Sequence, residues 1–429
     1  MLLIRLLLSA GISRSGAASS PQTEVLTEPA APARWLKNQR EVVGRLRDFY
    51  VHHRLLVRAL LLTLAWEVAA QFIGYIAAST LPPSNDVGAF LLRHPAFQRE
   101  NYPLFETMWA RWDGVWYVLI GSHGYDPHVS ILNAFFPAFP GLIHLVGGML
   151  GGNDLLAGIL INRLLLFPTV GIFTQIVREE SGDDAAERAP FFFLLVPTAV
   201  FFLAVYTETL FVLACLACFL AMRHQNWWLA GVCGAIATAT RLPGIVLVGA
   251  IIVEGAASRK PWLALGVAAF SLIGLAAYAI YLNALYGDPL AFQHAYNFGW
   301  GDRHFTLNIV AAPLQDMQLL VKNWPWQGGP IFWTVNYLLA LVVDCVLLLV
   351  MWRSLRWSYR VFVMGNMLLP LLSGTLFSYN RYSLVLFPFL LVACRWTASR
   401  PTLRAAVLLT IGCVSILNII FFTASYWVG

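Results

Sequence analysis

Apolar runs recur along most of the 429 residues, and charge is confined to the short segments between them. With 59% hydrophobic and 12% charged residues and a mean hydropathy of +0.68, the chain has too little polar surface for a soluble globule of this length. It is predicted to be an all-α polytopic membrane protein. Candidate spans lie at about 55–79, 155–177, 189–204, 208–222, 227–240, 243–257, 262–285, 331–351, 361–377, 382–397 and 405–426, which makes a bundle of about eleven transmembrane helices. Several of these run to only about 15 residues and have to pack inside the bundle or meet a thinned bilayer. The stretch 135–150 is also apolar, but Pro137, Pro140, Gly147 and Gly148 interrupt it. About a dozen clean residues give a helix near 18 Å, too short for a hydrocarbon core of about 30 Å, so an interfacial or re-entrant helix is expected there.

The basic residues orient the bundle. Arg34, Lys37, Arg40, Arg45, Arg47, Arg54 and Arg58 precede or open the first span and hold the amino terminus in the cytoplasm. Arg223–His224, Ser258-Arg259-Lys260, Trp352–Arg360 and Arg400–Arg404 then all become cytoplasmic. The net charge of +6 therefore reports topology and contact with anionic lipid rather than nucleic acid. Residues 1–54 read as a cytoplasmic, partly disordered basic segment, with 15–35 rich in Ala, Ser, Pro and Thr. The apolar start, Leu2–Leu8, is short and broken by Arg5, which argues against a secretory signal. Residues 55–429 form the transmembrane domain, with extracytoplasmic loops at about 80–154 and 286–330. All six cysteines lie within apolar runs, and Cys215-x-x-Cys218 has no partner at metal spacing, so no metal site is expected.

This topology sends most membrane-level ionisable residues to the outer face, where charge next to a bilayer calls for a cavity or a ligand. The Ala110-Arg111-Trp112-Asp113-Gly114-Val115-Trp116-Tyr117 segment sets one carboxylate among aromatics, and Asp113 reads as the catalytic base of an enzyme acting on lipid-linked substrates. If Trp109–Ile120 is helical, Trp109, Asp113, Trp116, Tyr117 and Ile120 share a face, and a carboxylate framed by rings suits a sugar. An interfacial aromatic belt with a chance acid is the plain alternative. Arg111 either pairs with Asp113 or faces lipid phosphate. Glu208, after Tyr206 and Thr207, either joins the site or merely complements a helix dipole. Arg241, in the turn Thr240-Arg241-Leu242-Pro243-Gly244, has no acidic neighbour in sequence and is a candidate anion ligand. Arg381, beside Tyr379 and Tyr382, is similar. Asp288, His294 and His304 lie in the second long loop, where solvation is the simpler reading.

Several of these blocks resemble the family typified by the second mannosyltransferase of GPI-anchor assembly, the PIG-V family. Arg111-Trp112-Asp113 with Tyr117, Gly124-Tyr125 and Phe135-Phe136-Pro137 with Pro140 resemble its first luminal loop. Tyr206-Thr207-Glu208-Thr209-Leu210-Phe211, Thr240-Arg241-Leu242-Pro243-Gly244, Gly287-Asp288-Pro289-Leu290-Ala291-Phe292 with His294, and Arg381-Tyr382 resemble later blocks in the family's order. Val196-Pro197 stands where the family commonly has Asn-Pro. The Ala-, Leu- and Arg-rich composition has a bacterial look, which would place the chain in a plasma membrane. A eukaryotic chain would belong in the endoplasmic reticulum.

The resemblance implies a bundle like those of the C-type (GT-C) glycosyltransferases, which take a sugar from polyprenyl phosphate without a nucleotide donor. The expected reaction is inverting mannosyl transfer from polyprenyl-phosphate-mannose to a lipid-linked glycan or glycolipid on the extracytoplasmic side, with no cofactor. Asp113 would be the base. Arg241, Arg381, Tyr382 and Arg111 would hold the donor phosphate. Trp112, Trp116, Tyr117, Tyr125, Tyr206, Glu208 and His294 would line the sugar and acceptor pocket. A polyprenyl-linked sugar flippase and a noncatalytic lipid-presenting subunit are the rival readings. The first would require polar residues on both sides of a pathway and repeat symmetry, neither of which is evident.

Overall fold

The computed structural model describes residues 31–82, 102–299, 303–323 and 329–429, and every regular element among them is helical. Most of the amino-terminal segment read as disordered, 15–30, lies outside the described residues. The chain divides into two compact units, 1–54 and 55–429. In the first, the backbone is helical from Ala31. The helix α1, Ala31–Thr80, has a non-helical residue at His53 (φ −114°, ψ 18°), and its apolar part is His53–Thr80.

The second unit is a helical bundle. The remaining long helices are α2 (Asp113–His123), α3 (Ala138–Met149), α4 (Asp154–Ser181), α5 (Glu208–Arg223), α6 (Trp227–Thr240), α7 (Val246–Ala257), α8 (Pro261–Ser271), α9 (Ile273–Tyr286), α10 (Ala291–Gly299), α11 (Ala311–Lys322), α12 (Gly329–Met351), α13 (Trp357–Leu372), α14 (Phe387–Trp396) and α15 (Pro401–Thr423). Five segments are long and apolar enough to cross a membrane: His53–Thr80, Asp154–Ser181, Pro261–Tyr286, Ile331–Ser354 and Pro401–Thr423. At about 1.5 Å per residue each exceeds a core of about 30 Å. These helices with the shorter apolar ones make the protein a multi-pass, all-α membrane protein. The prolines and glycines around residues 135–150 limit α3 to 12 residues, and it packs against α4 and α2.

Two expected helices are broken, and each break has a cause. The span expected at 189–204 is a short helix, Ala189–Leu194, followed by a turn at Val196-Pro197 and a 3-10 turn, Ala199–Phe202. Proline has no amide to donate, and carbonyls along this irregular stretch are taken up by the buried side chains of Asn162 and Thr209 and by the half-buried Asn418. Asn418 Nδ2 donates to the Pro197 carbonyl (2.8 Å), Thr209 Oγ1 to that of Phe202 (2.8 Å), and Asn162 Nδ2 to those of Ala204 and Tyr206. Irregular backbone at membrane depth is tolerated only under such cover. The segment delivers Tyr206-Thr207-Glu208 into the centre of the unit.

The helix expected over Trp109–Ile120 begins only at Asp113. The Trp109 carbonyl accepts from Val205 N (2.9 Å) rather than from an amide four residues on. Trp112 sits at φ 45°, in the left-handed region that non-glycine residues avoid. Its ring is pinned between Phe422 (5.3 Å) and Trp427 (5.2 Å). Trp109 therefore does not share a helical face with Asp113. Asp113 becomes the first residue of α2, at the end nearest the broken segment.

The turn carrying Arg241 depends on close approach. A Cβ at Gly244 would lie 2.6 Å from the Ala237 carbonyl carbon and 2.7 Å from Thr238 N, both backbone atoms of α6. Gly244→Ala should therefore push the turn off α6, lowering the midpoint of thermal unfolding in detergent at a cost of about 1–3 kcal/mol. Gly266→Ala, where a Cβ meets nothing within 4 Å, should leave the midpoint unchanged or slightly raised. Equal midpoints for the two variants would contradict the packing assigned to this turn.

Candidate active site

Four segments meet around a cavity of about 420 Å³. Asp113 comes from the start of α2, Arg241 from the turn after α6, Arg381 and Tyr382 from the short helix Tyr379–Tyr382, and Arg303 and His304 from the loop before α11. Tyr117, Phe135, Phe136, His294, Tyr296 and Asn366 complete much of the wall.

The charged groups are paired and buried. Arg381 NH1 lies 2.7 Å from Asp113 Oδ2, and its Nε lies 3.4 Å from Glu208 Oε1. The same Glu208 oxygen pairs with Arg241 NH1. Glu208 is 1% exposed, Asp113 7% and Arg381 8%. Rings flank the guanidinium groups: Arg241 lies over Phe211 and Tyr382, and Arg381 over Tyr206, Phe201 and Tyr382. Such contacts suit the weakly hydrated guanidinium. Burial works against the charged form of Arg381, but Asp113 and Glu208 outweigh it and hold the group protonated.

The structure separates the residues expected at this site. Asp113, Tyr117, Arg241, His294, Arg381 and Tyr382 line the cavity. Glu208 sits behind the two arginines it pairs with, at the first turn of α5. Arg241, read as an unpaired anion ligand for want of an acidic neighbour in sequence, is paired in the structure, with Glu208 33 positions away yet in contact. Arg111 neither pairs with Asp113 nor reaches the cavity. It is buried, and NH2 donates to the Thr423 carbonyl (3.2 Å) at the carboxyl end of α15, where a cation complements the helix dipole.

Trp112, Trp116, Tyr125 and Tyr206 do not line the cavity either. The Tyr206 hydroxyl donates to the Arg111 carbonyl (3.1 Å) and so braces the loop that ends at Asp113. The Tyr125 hydroxyl donates to the Phe135 carbonyl (2.6 Å) and braces the opposite wall. His304, read as a solvated loop residue, lines the cavity too, and His294, which the resemblance placed at the pocket, has its Nδ1 2.7 Å from Asp288 Oδ2. Arg303 and Tyr296 are further wall residues that the sequence reading missed. Arg303 sits in a loop with no apolar run around it, so its burial leaves no trace in local composition. Among the described residues no group of three His, Cys, Asp or Glu side chains is placed to hold a metal ion.

A buried acid–base cluster beside an aromatic-walled cavity, in a multi-pass helical unit, defines a membrane protein with an enzyme-like site. The family profile described as Mannosyltransferase (PIG-V) matches residues 43–299, more than half of the chain, and the chain belongs to that family. The match includes Asp113, Glu208, Arg241 and His294, while Arg303 and Arg381 come from beyond it. GPI alpha-1,6-mannosyltransferase 2 of Cricetulus griseus is 29% identical over 156 residues, which is 33% of this chain and 30% of that protein. The chain thus covers less than a third of that relative's length.

Removing one partner of a buried ion pair strands the other and costs about 3–5 kcal/mol. Glu208→Gln should therefore lower the thermal unfolding midpoint in detergent markedly, because Arg241 loses its paired carboxylate. The double variant Glu208→Met with Arg241→Met should recover much of the loss. A Glu208→Gln protein as stable as wild type would contradict the pairing.

Proposed function

We propose that this protein transfers mannose from a polyprenyl-phosphate donor to a hydroxyl of a lipid-linked glycan or glycolipid, with inversion, on the extracytoplasmic side of its membrane. The observation that carries the proposal is the Asp113–Arg381 pair on the cavity wall of a chain in a mannosyltransferase family. The acceptor oxygen attacks the anomeric carbon, the bond from that carbon to the phosphate oxygen breaks, and the acceptor proton passes to Asp113. Polyprenyl phosphate leaves with the bonding electrons. Positioned proton removal of this kind contributes about 10²- to 10⁴-fold.

Arg381 gives the step its electrostatic logic. While Asp113 is ionised, the pair is neutral. Protonation of Asp113 frees the guanidinium charge as the leaving phosphate gains negative charge, so stabilisation grows toward the transition state. Tyr117 and His294 would meet the sugar or acceptor, with Trp112, Tyr125 and Tyr206 holding the walls. The lipid-linked sugar phosphate is the only activated reagent required. The extracytoplasmic placement is supported by the distribution of basic residues, which leaves Asp113, Arg241 and Arg381 on the face opposite Ser258-Arg259-Lys260.

The test is transfer by the purified protein in proteoliposomes supplied with a membrane lipid extract. Polyprenyl-phosphate-mannose should yield lipids heavier by one hexose by mass spectrometry, and nucleotide-linked mannose should not. Absence of any hexosylated product with the polyprenyl donor, in protein that remains folded, would overturn the proposal and favour a lipid-sugar flippase or presenting subunit.

A further inference from the structure

The cavity wall carries three arginines and the cluster behind it two carboxylates. Arg381 pairs with Asp113 and Glu208, and Arg241 with Glu208. Arg303 is left over. Its NH1 reaches the Tyr382 hydroxyl (3.3 Å) and its NH2 the Phe377 carbonyl (3.0 Å), both neutral acceptors. Its Nε is buried with no hydrogen-bond partner. None of the ion pairs among the described residues includes it.

The residue is nonetheless 8% exposed and packed over the Tyr296 and Phe377 rings. Its loop is tied to the end of α13, with His304 N donating to the Ser373 carbonyl (3.2 Å) and Thr306 N to that of Leu372 (2.9 Å). A buried guanidinium with only neutral partners is costly unless an anion completes it. The cavity it lines also carries apolar wall at Phe136, Leu242, Leu369 and Leu372. The anion that fits is therefore a phosphate carried on a hydrocarbon chain.

We propose that Arg303, rather than Arg241 or Arg381, seats the lipid phosphate of the bound donor, that Arg241 is a positioning residue held by Glu208, and that Arg381, held by Asp113, meets the phosphate charge only as it leaves. This rests on the transferase reading above. It also assigns Tyr382 a part, since its hydroxyl orients Arg303 while its ring faces Arg241 and Arg381.

The experiment measures binding of three probes to the full-length protein in detergent: polyprenyl phosphate, the neutral polyprenol and a phosphatidic acid. Wild type should prefer polyprenyl phosphate over polyprenol. Arg303→Gln should lose roughly 10- to 100-fold in affinity for the phosphate, as expected for charge-assisted hydrogen bonds, while binding polyprenol as before. Retained polyprenol binding certifies the fold, and Arg303→Lys, which keeps the charge without the fork, should fall between. In turnover, Arg303→Gln should raise KM for the donor far more than it lowers kcat.

Wild-type preference that survives in Arg303→Gln would overturn the assignment while leaving the transferase reading intact. Wild type with no preference for the phosphate would overturn both. Phosphatidic acid bound as tightly as polyprenyl phosphate, and lost in Arg303→Gln, would give the seat to a phospholipid headgroup and overturn the donor assignment.

Discussion

Charge inside a membrane protein is costly unless it is paired, and the Arg381–Asp113 contact is the pair on which the cavity depends. Its partners are 268 positions apart in sequence, so the chain between them must be arranged to close that distance. Glu208 then bridges to Arg241, which fixes the turn after α6 and the start of α5 around the same point. The irregular features gather here for that reason. The unwound segment 195–207 delivers Glu208 at a helix start, Trp112 takes a disfavoured backbone conformation to begin α2 at Asp113, and Gly244 lets the Arg241 turn lie against α6.

The same pairing suits the proposed chemistry. A carboxylate fixed by a guanidinium loses no orientation on meeting its substrate, and preorganised charges need not be rearranged when charge moves. The network is close to neutral at rest, with Arg303 as the exception. A cavity built this way has its structural cations and its ligand-seeking cation on different segments. Arg241 and Arg381 belong to the packed cluster, and Arg303 to a loop tied to the end of α13. A substrate phosphate can then come and go without taking apart the ion pairs that hold the helices.

Much of this was legible in the sequence. Apolar runs and basic segments were enough for the membrane class, and the motifs around Asp113, Glu208, Arg241, His294 and Arg381 marked groups that do converge in the structure. Who pairs with whom was not legible. Arg241 reads as unpaired because nothing acidic stands near it in the chain, while its partner arrives from a different helix. Arg111 reads as a site residue because it adjoins Trp112-Asp113, but the backbone reversal at Trp112 turns it toward the end of α15. The span expected at 189–204 failed because hydropathy does not register the lost amide at Pro197, nor the asparagines that make an unwound segment tolerable. Arg303 was missed because a loop arginine looks solvated unless the fold over it is known.

The central claim is that Asp113, held by Arg381, takes the acceptor proton. Single-turnover transfer by Asp113→Asn tests it most directly. The amide preserves the shape and can still accept from Arg381, but it cannot serve as a base at neutral pH, and Glu208 remains to pair with Arg381. The account predicts a rate lower by about 10²- to 10⁴-fold in protein that still folds and binds donor, with a thermal midpoint lowered by the loss of the charged partner of Arg381. A folded Asp113→Asn protein that transfers mannose at more than about a tenth of the wild-type rate would contradict it.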